Sequence, residues 1–439
     1  MTGGPQHVVA VVGGATAGAE AAGMLAARGV LVVVFEQNAR PYGKIEDGLP
    51  RWHVKLRKKE YETINAKLDR PNVWFVPNTK IGRDVSFEEL VREWGFSAVV
   101  LAHGAWRDRP LDVPGVDRFV GRGLVYQNDF IYWFNHHQER GYTGSQYTVS
   151  DGAIVVGGGL ASIDVMKVLQ IELVRDALAE RGIDEDELDI EARGVPDLLE
   201  EHGLVWDDLE LTGATLYYRR RIEDMPLAEI PEDADEEKRH KYEITRRRIL
   251  EKAMQKYCFQ VRPQRIAVAA LVEDDRLVGL RFQRTRVEDG VAVPIPDSFE
   301  DVRASMVVSS IGSVPEPMDG IDQDGLLYQY VDPELGRLPG HDHVFSVGNV
   351  VTGKGNIIAS RRHASAVTGH VLDDYLGVPS NGSATAAQQR LAEQVAAKPP
   401  LSPAAVERLL ARVRARQEAV GYTVPYREWL ARVTPPDLA

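Results

Sequence analysis

The feature that most constrains this chain is residues 8–37, VVAVVGGATAGAEAAGMLAARGVLVVVFEQ, which read as strand, glycine turn, helix and a second strand ending in an acid. Val8 to Val12 is a short continuous apolar run, the pattern of a parallel strand buried on both faces. Gly13, Gly14 and Gly18 frame the turn, and the small residues from Ala17 to Ala27 let the following helix lie close to the sheet. Gly29 is placed to end that helix before Val30 to Phe35 returns as a strand. Glu36 follows, where a carboxylate can accept hydrogen bonds from the ribose hydroxyls of an adenine dinucleotide. The pyrophosphate would sit on N–H groups at the helix N-terminus, favoured by the helix dipole. Ala15 occupies the middle glycine position of G-x-G-x-x-G, where its methyl keeps backbone and phosphate farther apart than glycine would.

The same device returns at residues 151–164, DGAIVVGGGLASID. A strand from Ala153 to Val156 leads into Gly157-Gly158-Gly159, a helix starts at Leu160, and Ser162 stands where a third small residue is wanted. Two such turns in one chain call for two separate βαβ units. The strand Ala214 to Tyr218 then delivers Arg219-Arg220-Arg221, and arginines just past the second strand of a dinucleotide unit suit a 2′-phosphate.

Composition narrows the chemistry. A net charge of -13 argues against nucleic acid as the main partner. One cysteine, Cys258, excludes an intrachain disulfide, a redox-active cysteine pair and an iron–sulfur cluster held by this chain alone. Electrons would therefore travel on an organic cofactor or on a separate protein. No apolar run approaches the roughly 20 residues that span a bilayer, and the N-terminus lacks the pattern of a signal peptide. The expectation is a cytoplasmic protein that meets no membrane.

Between these landmarks, a long polar loop from Ala39 includes Gly43 and His53, and composed loops of this length are often functional. Asn72 to Pro77 and Ala98 to Ala102 read as further strands, the latter running into His103-Gly104-Ala105. Residues 171–211 hold fifteen Asp/Glu against three Arg and read as an acidic insertion, either a solvated helical excursion or a recognition surface. Val344 to Val347 is another strand, followed by Gly348-Asn349 and a glycine loop feeding a helix from about Asn356. That helix N-terminus would offer N–H groups and positive potential to an anionic group. Residues 380–401 read as a linker, and Ser402-Pro403 starts a helix with Val406, Leu409, Leu410 and Val413 on one face. This tail reads as an appendage.

Taken together, these motifs resemble the adrenodoxin-reductase branch of ferredoxin–NADP reductases, which are FAD-dependent pyridine-nucleotide oxidoreductases. The resemblance runs from about Val8 to Leu376 and rests on VVGGATAGAEAA with Glu36, LPRWHVK, Ile81 to Val85, AVVLAHGA, VVGGGLASIDV, YYRRR, VVSSIG and the closing glycine loop. It implies an α/β fold with two Rossmann-like dinucleotide-binding domains and a short helical C-terminal tail. The FAD domain would comprise 1–106 and 325–379, the inserted NADP domain 107–324, and linker with tail 380–439.

By position, the resemblance assigns Gly13, Ala15, Gly18, Glu36 and Gly43 to FAD, with Gly348 and Asn349 at its ribityl and pyrophosphate. Gly355, Asn356 and Ile357 would meet the isoalloxazine, and Gly157, Gly159, Leu160, Arg219 and Arg220 would hold NADPH. His53 and Glu229 match the family's His and Glu that assist the hydride step. The partner implied is a ferredoxin-type iron–sulfur protein. Gly348-Asn349 departs from the Gly-Trp usual in this branch, and Gly353-Lys354-Gly355-Asn356 replaces its GPTG. Two other readings stand beside this one: a flavoprotein acting on a small organic substrate, and a non-catalytic nucleotide-binding scaffold.

Overall fold

The computed structural model describes residues 6–231, 233–353, 355–378 and 398–435. The chain divides into two compact units. Unit one comprises the described residues of Met1–Leu49, His53–Arg107 and Ser313–Ala439; unit two comprises Pro50–Trp52 and Asp108–Gly312.

Unit one starts with β1 (Val8–Val12), α1 (Thr16–Ala27), β2 (Leu31–Phe35), α2 (Val54–Leu68), β3 (Val73–Val76), α3 (Phe87–Arg92) and β4 (Ala98–Leu101). In unit two follow β5 (Leu124–Tyr126), α4 (Gln127–His136), β6 (Ile154–Gly157), α5 (Leu160–Ala179), α6 (Glu187–Arg193) and α7 (Val195–Glu201). Next come β7 (Thr215–Tyr218), α8 (Glu236–Tyr257), β8 (Gln260–Pro263), β9 (Arg265–Glu273), β10 (Arg276–Glu288), β11 (Val291–Arg303) and β12 (Val307–Ser310). The chain then returns to unit one with β13 (Val344–Ser346), α9 (Ile357–His370), α10 (Pro403–Ala419) and α11 (Tyr426–Val433).

Each unit holds one five-stranded parallel sheet, in the order β13–β4–β1–β2–β3 in unit one and β5–β12–β6–β7–β8 in unit two. The glycine-turn strands β1 and β6 lie at the centre of their sheets, covered on both faces, which is why they are apolar without alternation. The arrangement is that of two Rossmann-like units. Unit two adds an antiparallel sheet, β9–β10–β11.

Two expectations change. The tail is no appendage: Val406, Leu409, Leu410 and Val413 of α10 join the core on one face of the unit-one sheet, with Val8, Ala10 and Val33. Tyr426, Trp429 and Leu430 of α11 join the core containing Val9, Val11, Val32 and Val34. An apolar stripe needs a surface to cover, and here that surface lies within the same unit. The acidic segment also starts later than residue 171, because α5 continues unbroken to Ala179 with Ile171, Leu173, Val174 and Leu178 in the unit-two core. Ile190, Val195, Leu198 and Leu199 anchor the two short helices after it to that core, so the segment is a packed layer with an acidic outer side. Of the expected linker 380–401, residues 380–397 lie outside the described residues, as does Lys354. No described helix is long and apolar enough to cross a membrane.

Candidate functional site

The turn after β1 is set by close backbone approach. Gly13 has φ +97°, and a Cβ there would lie 2.7 Å from the Ala102 carbonyl oxygen. A Cβ on Gly18 would lie 1.8 Å from the Gly13 oxygen, so helix α1 can start this close to the strand only with glycine at that position. Ala15 is the N-cap of α1 with φ -76° and ψ -160°, an ordinary extended conformation that the methyl does not strain. Its methyl faces Gly43, where an added Cβ would come within 3.0 Å of it.

Glu36 is 3% exposed and accepts from the N–H of Gly14 at 2.7 Å and of Asn38 at 2.9 Å. Burial pushes its carboxyl up to about 7, partly offset by these backbone donors. Gly13, Ala15, Glu36, Gly43, Thr79 and His103 are among the residues lining a cavity of about 350 Å³ within unit one.

His103 is a site residue that no sequence pattern singles out. Its Nε2 lies 3.1 Å from the Tyr328 hydroxyl, which donates to the Glu316 carbonyl at 2.7 Å. Since Tyr328 spends its proton on that carbonyl, His103 Nε2 must be the donor of the pair, which leaves Nδ1 an acceptor. Burial lowers the ring's pKa to about 4, so the imidazole is neutral near pH 7. Nδ1 is buried with no hydrogen-bond partner among the described residues. A buried acceptor lacking a donor, beside a turn cleared by two obligatory glycines, matches a ligand that carries both phosphates and sugar hydroxyls. The residues present therefore fit a flavin dinucleotide. Spacing offers no signal for this group, because Tyr328 is 225 residues from His103.

The closing strand arrives at the same unit. Gly348 has φ +76°, a Cβ there would lie 2.6 Å from the Ala17 Cβ, and its N–H donates to His363 Nδ1 at 3.0 Å. Asn349 closes the glycine loop by accepting from the Gly355 N–H at 2.7 Å. Asn356 caps α9, accepting from Ile358 and Ala359 at 2.8 and 3.1 Å. Two of the N–H groups expected to await a ligand at this helix start are thus satisfied by the chain itself. Ile357 is the first residue of α9.

In unit two, a Cβ on Gly157 would lie 2.5 Å from the Ser310 oxygen, and one on Gly158 would meet the Tyr218 ring at 2.3 Å. Gly159 caps α5 with open space around it, and Leu160 is 55% exposed. Ser162 donates to the Gly159 carbonyl at 2.6 Å. Past β7 the three arginines part ways. Arg219 is exposed, and its guanidinium has no hydrogen bond or ion pair among the described residues. Arg220 donates to the Tyr218 hydroxyl at 3.0 Å and to the Gly290 carbonyl at 3.2 Å. Arg221 pairs bidentately with Asp224. One free arginine and one tethered arginine are what this turn offers a 2′-phosphate.

His53 is half-buried at the start of α2 in unit one, whereas Glu229 is exposed in unit two. The three residues before His53 belong to unit two, where Arg51 pairs with Glu187 and the Lys167 ammonium lies 4.5 Å from the Trp52 ring centre.

Residues 7–175 match the family described as pyridine nucleotide-disulphide oxidoreductase. The chain is 26% identical over 404 residues to the mitochondrial NADPH:adrenodoxin oxidoreductase of Salvelinus fontinalis, covering 84% of this chain and 78% of that protein. To the mitochondrial NADPH:adrenodoxin oxidoreductase of Arabidopsis thaliana it is 30% identical over 169 residues, 38% of this chain and only 33% of that relative. Among solved structures, FprA of Mycobacterium tuberculosis in complex with NADPH superposes with a TM-score of 0.67 at 19% identity, covering 94% of this chain and 91% of that one. That likeness is one of fold.

Proposed function

We infer, from the premise that this chain is an FAD-dependent NAD(P)H oxidoreductase, that it takes a hydride from NADPH and delivers single electrons to a ferredoxin-type iron–sulfur protein. The observation that carries the reading is the pairing of two glycine turns, one followed by a buried acid and the other by an exposed arginine. Unit one would hold FAD: the N–H groups at the start of α1 face the pyrophosphate, Glu36 accepts from ribose hydroxyls, and His103 Nδ1 accepts from a further hydroxyl. Unit two would hold NADPH, with the start of α5 at the pyrophosphate and Arg219 at the 2′-phosphate, assisted by Arg220. Bound FAD supplies the exchange between a two-electron hydride and one-electron transfer, chemistry that belongs to the cofactor. The protein binds and orients the two nucleotides; His53 and Glu229 are assigned to the hydride step by resemblance alone. A cytoplasmic location is part of the same proposal.

An anaerobic absorbance titration of the purified protein with NADPH, and separately with NADH, tests this reading. Flavin absorbance that bleaches faster with NADPH is the expected result. Ferredoxin-dependent reduction of cytochrome c then tests the partner, and no rate increase on adding ferredoxin would remove that part of the reading. A protein that takes up no FAD would leave the scaffold reading in front.

A further inference from the structure

The two C-terminal helices hold the cavity of unit one from behind, at both loops that flank Glu36. From α10, Arg416 donates through Nε to Thr79 Oγ1 at 3.0 Å. Its Nη2 lies 3.8 Å from Asp84, the carboxylate that accepts from the Lys80 N–H at 2.8 Å. Thr79 is 1% exposed and gives its own N–H to the Glu36 carbonyl at 2.8 Å. Arg416 therefore acts one residue away from the ribose acid. Beside it, Gln417 donates to the Phe75 carbonyl at 2.8 Å.

The second grip comes from α11, where Trp429 Nε1 donates to the Ala39 carbonyl at 2.8 Å. Tyr426 donates to Asn65 Oδ1 at 2.7 Å, and Asn65 in turn donates to the Tyr42 hydroxyl at 3.1 Å. These bonds hold the loop that leads to Gly43, opposite Ala15. Both loops leave the ends of β2 and β3, where backbone bonds such as Asn78 N–H to Asn38 and Thr79 N–H to Glu36 tie them to each other and the helices add side-chain bonds. A cavity whose walls are fixed beforehand loses less free energy on ordering when its ligand arrives.

We propose that the C-terminal helices form a brace for the adenosine end of the cavity, with Arg416 as its positioning residue. The brace rests on the reading of this cavity as the FAD site, and gives the tail a role in retaining the cofactor. Arg416 touches no ligand; it acts through Thr79 and Asp84. Trp429 restrains the opposite wall.

The test is the FAD dissociation constant of the full-length protein stripped of flavin, measured with the melting temperature of each flavin-free variant. Arg416→Met is expected to raise the constant roughly tenfold, the loss of one charge-assisted bond. Arg416→Lys should recover part of that loss, and Trp429→Phe should raise the constant by a smaller factor. Arg414→Met, on the same helix with Glu407 as its pair, should match the parent protein. The proposal is overturned by an unchanged constant in both Arg416→Met and Trp429→Phe. It is equally overturned if Arg414→Met weakens FAD as much as Arg416→Met, or if the weakening follows only from a lowered melting temperature. A parent protein that binds no FAD would instead overturn the reading of the cavity, and the brace with it.

Discussion

The turns after β1 and β6 share one strand–turn–helix device but differ in what the neighbouring strand delivers beside it. In unit one, β2 is followed by Glu36, buried and held by two backbone N–H groups. In unit two, β7 ends in Tyr218, whose ring covers Gly158, followed by Arg219 in the open. A desolvated acid selects hydroxyl donors, whereas an exposed guanidinium selects an anion. The glycines differ too: the first turn requires glycine at both Gly13 and Gly18, while the second carries Ser162 in the corresponding place and leaves Gly159 facing nothing. The device provides close backbone approach, and in the proposed reading the residue after the second strand sets which nucleotide each unit takes.

Breaking the turn of unit one should have the largest effect. Gly18→Ala puts a carbon 1.8 Å from a backbone oxygen, so the purified variant is expected to hold no FAD, read as loss of flavin absorbance. Next comes the anion site. Arg219→Ala should raise the Michaelis constant for NADPH by roughly 10- to 100-fold with little change for NADH, the worth of one or two charge-assisted bonds. Because Arg220 is already tethered, the double replacement with Arg220→Ala should add little to this. Equal losses for NADPH and NADH would end the assignment of this turn to a 2′-phosphate.

The acid of unit one should give a smaller effect, tied to pH. Hydroxyl donors favour the carboxylate form of Glu36, whose pKa before FAD binds is about 7. Affinity for FAD should therefore fall as pH drops below about 7, by at most about tenfold per unit, and Glu36→Gln should flatten the profile. The sign reverses for the stability of the flavin-free fold. There the folded group keeps its proton to about pH 7 and the unfolded one only to about 4.5, so Glu36 destabilises the fold increasingly as pH rises across that window. Melting of Glu36→Gln against the parent at pH 5 and pH 8 checks this, with the variant gaining only at the higher pH. The smallest effect is expected from Gly159→Ala, whose added methyl meets nothing and whose φ of -92° suits alanine. NADPH affinity should change by less than about threefold, within the range of ordinary surface substitutions. A large loss there would mean that the second turn approaches its ligand more closely than the first, which already carries the Ala15 methyl at the corresponding place.

Much of the fold was legible because its signals are local. Both glycine turns, the uninterrupted apolar strands, Glu36 and the helix start at Asn356 follow from runs and spacings within about 30 residues of each other, where backbone geometry and burial act on neighbours. The apolar stripe of α10 was visible in the same way. The face it covers was not, since a stripe states that a helix needs a partner without naming one. Other features required the folded chain. Ala102 sits over Gly13, Asn349 spends its side chain on Gly355, Arg220 is tethered while Arg219 has no partner among the described residues, and Tyr328 fixes the tautomer of His103. The first three arise because a parallel sheet brings the ends of distant strands together and loops settle on whichever donor or acceptor lies nearest. The last joins residues 225 apart, which no periodicity encodes. Sequence alone determined that the chain builds two nucleotide-binding turns with opposite chemical preferences. Tertiary structure decided which polar atoms remain free to meet a ligand, because hydrogen-bond satisfaction is settled only when every neighbour is in place.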